Sequence, residues 1–189
     1  DGFIDNPRLG AANFNDYRAL SGRVVVLFEP TDALSIRLSA FLGEDDFGGT
    51  NEVDPPPAAR DALNFSTPVL GSNFDDFQLY NGRIEYDFGP VTVSSITGWY
   101  TRKRKDEFFD AQSAAGFGLF TTALTAIGRS TADDESFTQE FRFVSNFAGP
   151  LNFTGGLYYQ DAGFVSTLTT TAAEFAPFTT PVGGTTLIG

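Results

Sequence analysis

YDFGPVTV, residues 86–93, sets Gly89 and Pro90 between two runs that read as β-strand. Proline has no N–H to give a sheet ladder, so in a sheet it belongs at a turn, an edge or a bulge. A tight turn joining two antiparallel strands explains it here. The arrangement recurs. Pro30 lies in VVVLFEPTDALSI and Pro150 in RFVSNFAGPLNFTG, which places Pro30, Pro90 and Pro150 60 residues apart. Phe28, Phe88 and Phe147 precede them by two or three positions. Arg23 and Arg83 hold equivalent places in the period, with Arg142 one position off. A fixed period marks a repeating structural unit. The unit here is strand, short turn, strand, long connection.

The 189 residues suffice for one domain with a sizeable core. The sequence begins at Asp1 and has no methionine, so the expectation is a piece of a longer chain. No 18-residue apolar run is present, which excludes a transmembrane helix in the segment. With no cysteine and no histidine, disulfides, thiolate or imidazole metal ligands and Ser–His or Cys–His catalysis are excluded within it. A net charge of −12 argues against a nucleic-acid partner, which needs a basic footprint. Phenylalanine is abundant at 21 residues, and aromatic and β-branched enrichment favours sheet.

Period-2 alternation predicts six strands, near 17–29, 33–43, 75–88, 91–104, 136–147 and 151–163. In the second, Leu34, Ile36, Leu38, Ala40 and Leu42 form one unbroken apolar face. In the third, Tyr80, Gly82, Ile84, Tyr86 and Phe88 face one way, and Asn81, Arg83, Glu85 and Asp87 the other. The fourth is weaker: Val91, Val93 and Trp99 share a face, while Ile96 and Tyr100 fall opposite. Gln139 breaks the apolar face of the fifth. Residues 1–16 read as a loop, and long loops are expected over 44–74, 105–135 and 164–189. The first contains EVDPPPAARD, where three consecutive prolines preclude helix or central strand. The second contains FGLFTTALTAIG, either a short helix or a loop strand.

Connections in compact domains are mostly about 4–6 residues. Short turns at one end and connections of about 30 residues at the other are instead the layout of an outer-membrane barrel. Alternation alone does not say which face meets which solvent, and a soluble sandwich shares it. Three features favour lipid on the apolar side. The strands are long, as the roughly 9–11 residues of a transmembrane strand require. Aromatics sit where interfacial girdles would: Phe28, Tyr86, Phe88 and Phe147 at the short turns, Trp99, Tyr100, Tyr158 and Tyr159 further along. The opposite face carries mid-strand charges, Arg23, Arg37, Arg83, Glu85, Glu140 and Arg142, which a wet interior tolerates.

LSGRVVVLFEPTDALSIRL, DFQLYNGRIEYDFGPVTVSSITGWY and ESFTQEFRFVSNFAGPLNFTGGLYYQ resemble barrel strands of TonB-dependent outer-membrane receptors. ESFTQEFR, followed after a turn by FTGGLYY, is the most specific element, and the resemblance covers the six strands more than the loops. It implies an all-β, antiparallel up-and-down meander of about six long strands in three hairpins, part of a 22-stranded transmembrane β-barrel. It also implies a plug domain, absent from this segment, and a TonB complex acting through it. The implied function is energised uptake of a scarce solute: a ferric siderophore, another metal chelate or an oligosaccharide. The implied place is the bacterial outer membrane, in contact with its lipid.

The six lumen-facing candidates could contact the plug or a passing substrate, or form a charge ladder that satisfies itself across strands, each pair worth roughly 0.2–1 kcal/mol. Arg102, Lys103, Arg104 and Lys105, in TRKRKDEF, suit lipopolysaccharide phosphates at the loop end of the fourth strand. GEDD at 43–46 and DDE at 133–135 lack the ligand spacing of a calcium loop and read as solvated acids. Phe47, Phe65, Phe74, Phe108, Phe109, Phe117 and Phe120 read as loop packing. No cofactor, metal site or enzymatic motif is expected. The alternative to transport is a β-rich fragment, released outside the cell, that self-associates into a filament through unpaired strand edges. A small lipocalin-like carrier fits less well, because it needs about eight strands.

Overall fold

The computed structural model describes residues 2–49, 51, 63–64, 69–109, 124–174 and 182–188. Its strands are β1 (Tyr17–Thr31), β2 (Leu34–Phe47), β3 (Ser72–Asp87), β4 (Val91–Phe109), β5 (Leu124–Ser145), β6 (Thr154–Glu174) and β7 (Val182–Ile188). They form one antiparallel sheet in the order β1-β2-β3-β4-β5-β6-β7, each strand beside its neighbour in sequence. The described residues contain no helix. The chain is all-β, an antiparallel meander built on six long strands.

Two features depart from the sequence-based expectation. Five of the six strands, β2 to β6, run further toward the long connections, β4 to Phe109 and β5 from Leu124. A seventh short strand also lies inside the stretch expected as a loop, over 164–189. The reason is the same in both cases. These outer strand ends are charged or threonine-rich, so they lack apolar alternation. What holds them is the continuous backbone ladder, from Phe109↔Ile127 to Val91↔Ser145 between β4 and β5. Ion pairs between neighbouring strands reinforce it, Arg102–Asp75 and Arg129–Glu107. EVDPPPAARD and most of FGLFTTALTAIG lie outside the described residues.

The three prolines sit together at the short-turn end. Pro30 falls where the β1–β2 register shifts between Phe28 and Thr31, an irregularity that leaves room for a residue without an N–H. Gly89 has a φ of 90°, a conformation open to glycine, and its N–H donates to Asp87 Oδ1 at 2.7 Å. At the third turn Asn152 does the stapling. Its Oδ1 accepts from the Phe147 N–H at 2.7 Å, and its Nδ2 donates to the Phe147 carbonyl at 3.2 Å.

Among the described residues, no second layer covers either face of the sheet. The buried apolar side chains among the described residues are Ile4, Phe14 and Ala132. Ile4 and Phe14 belong to the segment before β1, where Asn15 Oδ1 accepts from the N–H groups of Phe3 and Ile4, each at 2.7 Å. That segment ties to the β2–β3 connection. The Asp5 N–H donates to the Leu63 carbonyl at 2.9 Å, and Asn15 Nδ2 to Asn51 Oδ1 at 2.9 Å. A small knot of loop therefore caps the long-connection end, while among the described residues the sheet below it holds a single buried apolar side chain, Ala132.

Candidate functional site

Directly paired residues of an antiparallel sheet project to the same side, so the register sorts every strand residue onto one of two faces. One row reads Val26–Leu38–Gly82–Thr97–Gln139–Tyr159. Toward the short turns it is followed by Phe28–Ile36–Ile84–Ser95–Phe141–Leu157, and toward the long connections by Val24–Ala40–Tyr80–Trp99–Phe137–Asp161. These rows make an apolar face. Its side chains are open: Leu38 is 52% exposed, Ile84 48%, Phe153 53% and Leu157 72%. An apolar surface this continuous is far beyond the scattered exposure of an ordinary soluble domain.

Phe28, Tyr86, Trp99 and Tyr159 lie in rows of this face, and Phe88 and Phe147 flank its turns, but Tyr100 and Tyr158, expected beside them, fall in rows of the opposite face. Near the turns, Tyr86 meets Phe88 with ring centroids 4.5 Å apart, and Phe147 meets Phe153 at 6.0 Å. Further along, Tyr80 stacks on Trp99 at 5.5 Å, and Phe137 meets Tyr159 at 6.4 Å. The Trp99 indole N–H donates to Glu135 Oε1 at 3.2 Å, in the next row toward the long connections. The ring thus lies on the apolar band while its polar edge points to the ionic end. That is how tryptophan behaves at an apolar–polar boundary.

Three polar residues interrupt the middle of the band and satisfy one another, while Asp161 closes the Trp99 row at its β6 end. The Thr97 hydroxyl donates to Gln139 Oε1 at 2.6 Å, and Gln139 Nε2 donates to Ser95 Oγ at 3.0 Å. Glutamine at this position therefore carries its own partners.

Arg23, Arg37, Arg83, Glu85, Glu140 and Arg142 all lie on the opposite, polar face. The register brings Arg37, Arg83 and Glu140 into one row, Leu27–Arg37–Arg83–Ile96–Glu140–Tyr158. Among these six residues the ion pairs form along a strand rather than across strands. Arg83 pairs with Glu85, and Arg142 Nη2 lies 2.7 Å from Glu140 Oε1. Ser94 Oγ donates to Glu85 at 2.9 Å. Arg23 and Arg37 have no carboxylate partner among the described residues.

The four basic residues of β4 divide between the faces. Lys103 and Lys105 project on the apolar side, outward of Trp99; Arg102 and Arg104 project on the polar side. Arg102 grips Asp75 through two nitrogens, with Nε 2.8 Å and 3.0 Å from the two carboxylate oxygens. Asp75 is thereby committed, and Arg104 Nε is buried without a hydrogen-bond partner. Asn73 and Ser130 both donate to Asp106 nearby, the serine at 2.8 Å. GEDD and DDE alternate between the two faces, and the described residues hold no group of three or more acidic side chains able to grip a metal ion.

Some features left no trace in the sequence pattern. Phe77 lies over its partner Gly43, and Phe108 over Gly128, so each ring occupies the space a side chain would fill. Phe47 stacks on Tyr17 at 4.4 Å, so it is a cross-strand ring of the polar face rather than a loop residue. Phe65, Phe117 and Phe120 lie outside the described residues. Comparisons with protein-family models, with curated proteins and with solved structures found no match to this chain.

Proposed function

We propose that this chain is part of a transmembrane β-barrel of the bacterial outer membrane, with its apolar face against lipid and its polar face toward a wet interior. The observation that carries this reading is the uncovered apolar face. A sheet exposing Leu38, Ile84, Phe153 and Leu157 to water would lose the burial that drives folding. Hydrocarbon around that face removes the problem.

The dimensions agree. From the Val91 row to the Trp99 row is eight steps of β4, about 27 Å along the strand at about 3.4 Å per residue. At a tilt of about 40° that is about 20 Å of height, and Leu42 in the next row extends it toward the roughly 25 Å apolar band of such barrels. The aromatic pairs border both ends of this band. The hydrogen-bonded trio of Thr97, Gln139 and Ser95 suits a medium without water, where each polar group needs a partner of its own.

Within that class we favour a TonB-dependent receptor taking up a scarce solute, a reading supported by the resemblance of the strand sequences. A plug domain and the remaining strands of a 22-stranded barrel would then belong to the same protein, and Lys103 and Lys105 would meet lipopolysaccharide phosphates. The test is fractionation and gel mobility of the full-length protein. A barrel of this kind stays with the outer membrane and shifts in apparent size when boiled in detergent. Recovery in the soluble fraction without detergent, as a monomer, would sink the reading.

A second reading has its own observation. Every residue of β1 is exposed, and β1 has a hydrogen-bonded neighbour on one side only within this chain. If the segment exists by itself, that edge would template filaments between copies.

A further inference from the structure

The polar face holds an arrangement that a self-sufficient sheet would avoid. Arg37 on β2 is directly opposite Arg83 on β3, and like charges in that position repel. Arg83 turns to Glu85; Arg37 has no carboxylate partner among the described residues, and neither does Arg23 on β1. This occurs in a chain whose 24 acidic residues outnumber its 12 basic ones. Uncompensated guanidinia are therefore not explained by a shortage of carboxylates.

Two of the arginines flank one row of the polar face. Arg23 is paired with Phe41, four residues along β2 from Arg37, about 13 Å at the rise of a strand. Ser39 is the midpoint. Its row reads Val25–Ser39–Asn81–Gly98–Thr138, small side chains with one glycine, lower than the arginine rows on either side. A cleft of about 260 Å³ opens there, lined by Arg23, Ser39, Phe41 and Leu79. Phe77 stands behind Phe41 with ring centroids 5.3 Å apart. The wall is thus apolar, the floor offers a hydroxyl, and Arg23 offers guanidinium donors at the rim, with Arg37 two residues along β2 from Ser39 on the same face. Planar N–H forks of this kind match carboxylate or phosphate oxygens.

We infer that this cleft binds a small organic anion, its carboxylate or phosphate held by Arg23 and Arg37 over Ser39 and its apolar body against Phe41 and Leu79. The inference supplies a solute class for the transport reading and rests on it for the direction in which the polar face points. Glu85 is the one carboxylate paired within the cluster. Held by Arg83, it leaves the other two arginines to the ligand.

The test titrates 2-naphthoate into the full-length protein in amphipol and reads binding by calorimetry, with neutral 2-naphthylmethanol as the matched control. The expected result is that the acid binds at least tenfold more tightly than the alcohol and weakens as salt rises. An Arg23→Gln/Arg37→Gln variant should lose that preference, and an Arg23→Lys/Arg37→Lys variant should keep part of it. Sheet content by circular dichroism tells loss of the site from loss of the fold. Should the glutamine variant fail to fold, Ser39→Val, which blocks the floor and keeps the charges, is expected to weaken the acid at least fivefold. Equal binding of acid and alcohol, or an acid affinity unchanged in a folded variant, would overturn the inference. A protein that resides in the membrane yet shows no acid preference overturns this site alone. A protein absent from the membrane overturns the transport reading, and the titration still decides the site.

Discussion

The two faces of this sheet share one backbone and solve opposite problems. On the apolar face, the polar groups at mid-band have partners beside them, as Thr97, Gln139 and Ser95 do. On the polar face, charges are plentiful and some are left open, as Arg23 and Arg37 are. In the membrane reading proposed above, a solvent that cannot hydrogen-bond forces the first economy, and water permits the second. The contrast teaches that face, rather than position along the strand, sets how a substitution acts.

The largest effect should come from moving a charge across that divide. Ile84→Arg, in the middle of the apolar band, is expected to cost about 2–4 kcal/mol of folding stability in lipid. Gln160→Arg, on the polar face, should change it by less than about 0.5 kcal/mol. Denaturant titration of the full-length protein in vesicles measures both. Similar costs at the two sites would erase the distinction between the faces.

A smaller effect is expected inside the polar face, where rings cover glycines. Gly43→Leu would push against the Phe77 ring and should cost about 1–3 kcal/mol. Combining it with Phe77→Ala should recover part of that loss, and the shift in unfolding midpoint reads both steps. Next comes the polar trio of the apolar band. Gln139→Leu strands the Thr97 and Ser95 hydroxyls and is expected to cost about 1 kcal/mol. Replacing all three with apolar residues should be close to neutral in lipid. A neutral single substitution would mean that water already reaches this row. The smallest effect belongs to the exposed Arg142–Glu140 pair. Arg142→Gln should change stability by less than about 0.5 kcal/mol, and raising salt should shrink even that.

The period-2 pattern made the faces legible in the sequence, because successive strand residues project to opposite sides and each side carries its own residue type. Leu34, Ile36, Leu38, Ala40 and Leu42 alternate strictly, and the register places them on one face. Tyr86, Phe88, Trp99 and Tyr159 were legible as girdle candidates for the same reason. The strand ends were not. Residues 105–109 and 124–135 carry no apolar alternation, and the backbone ladder that extends them leaves no mark in side-chain chemistry. Pairings between strands were hidden too. Nothing in the sequence sets Arg37 opposite Arg83, or Phe77 over Gly43, because the register across a long connection is fixed by the whole sheet rather than by either strand.

The most direct test of the account uses the absence of cysteine from the sequence. Single cysteines at positions 36 to 41, spin-labelled in the full-length protein in vesicles, report contact with dissolved oxygen or with a water-soluble nickel chelate. The account predicts that labels at 36, 38 and 40 are relaxed by oxygen and shielded from nickel, with the reverse at 37, 39 and 41. A flat profile, or labels at 36, 38 and 40 shielded from both reagents, would contradict it.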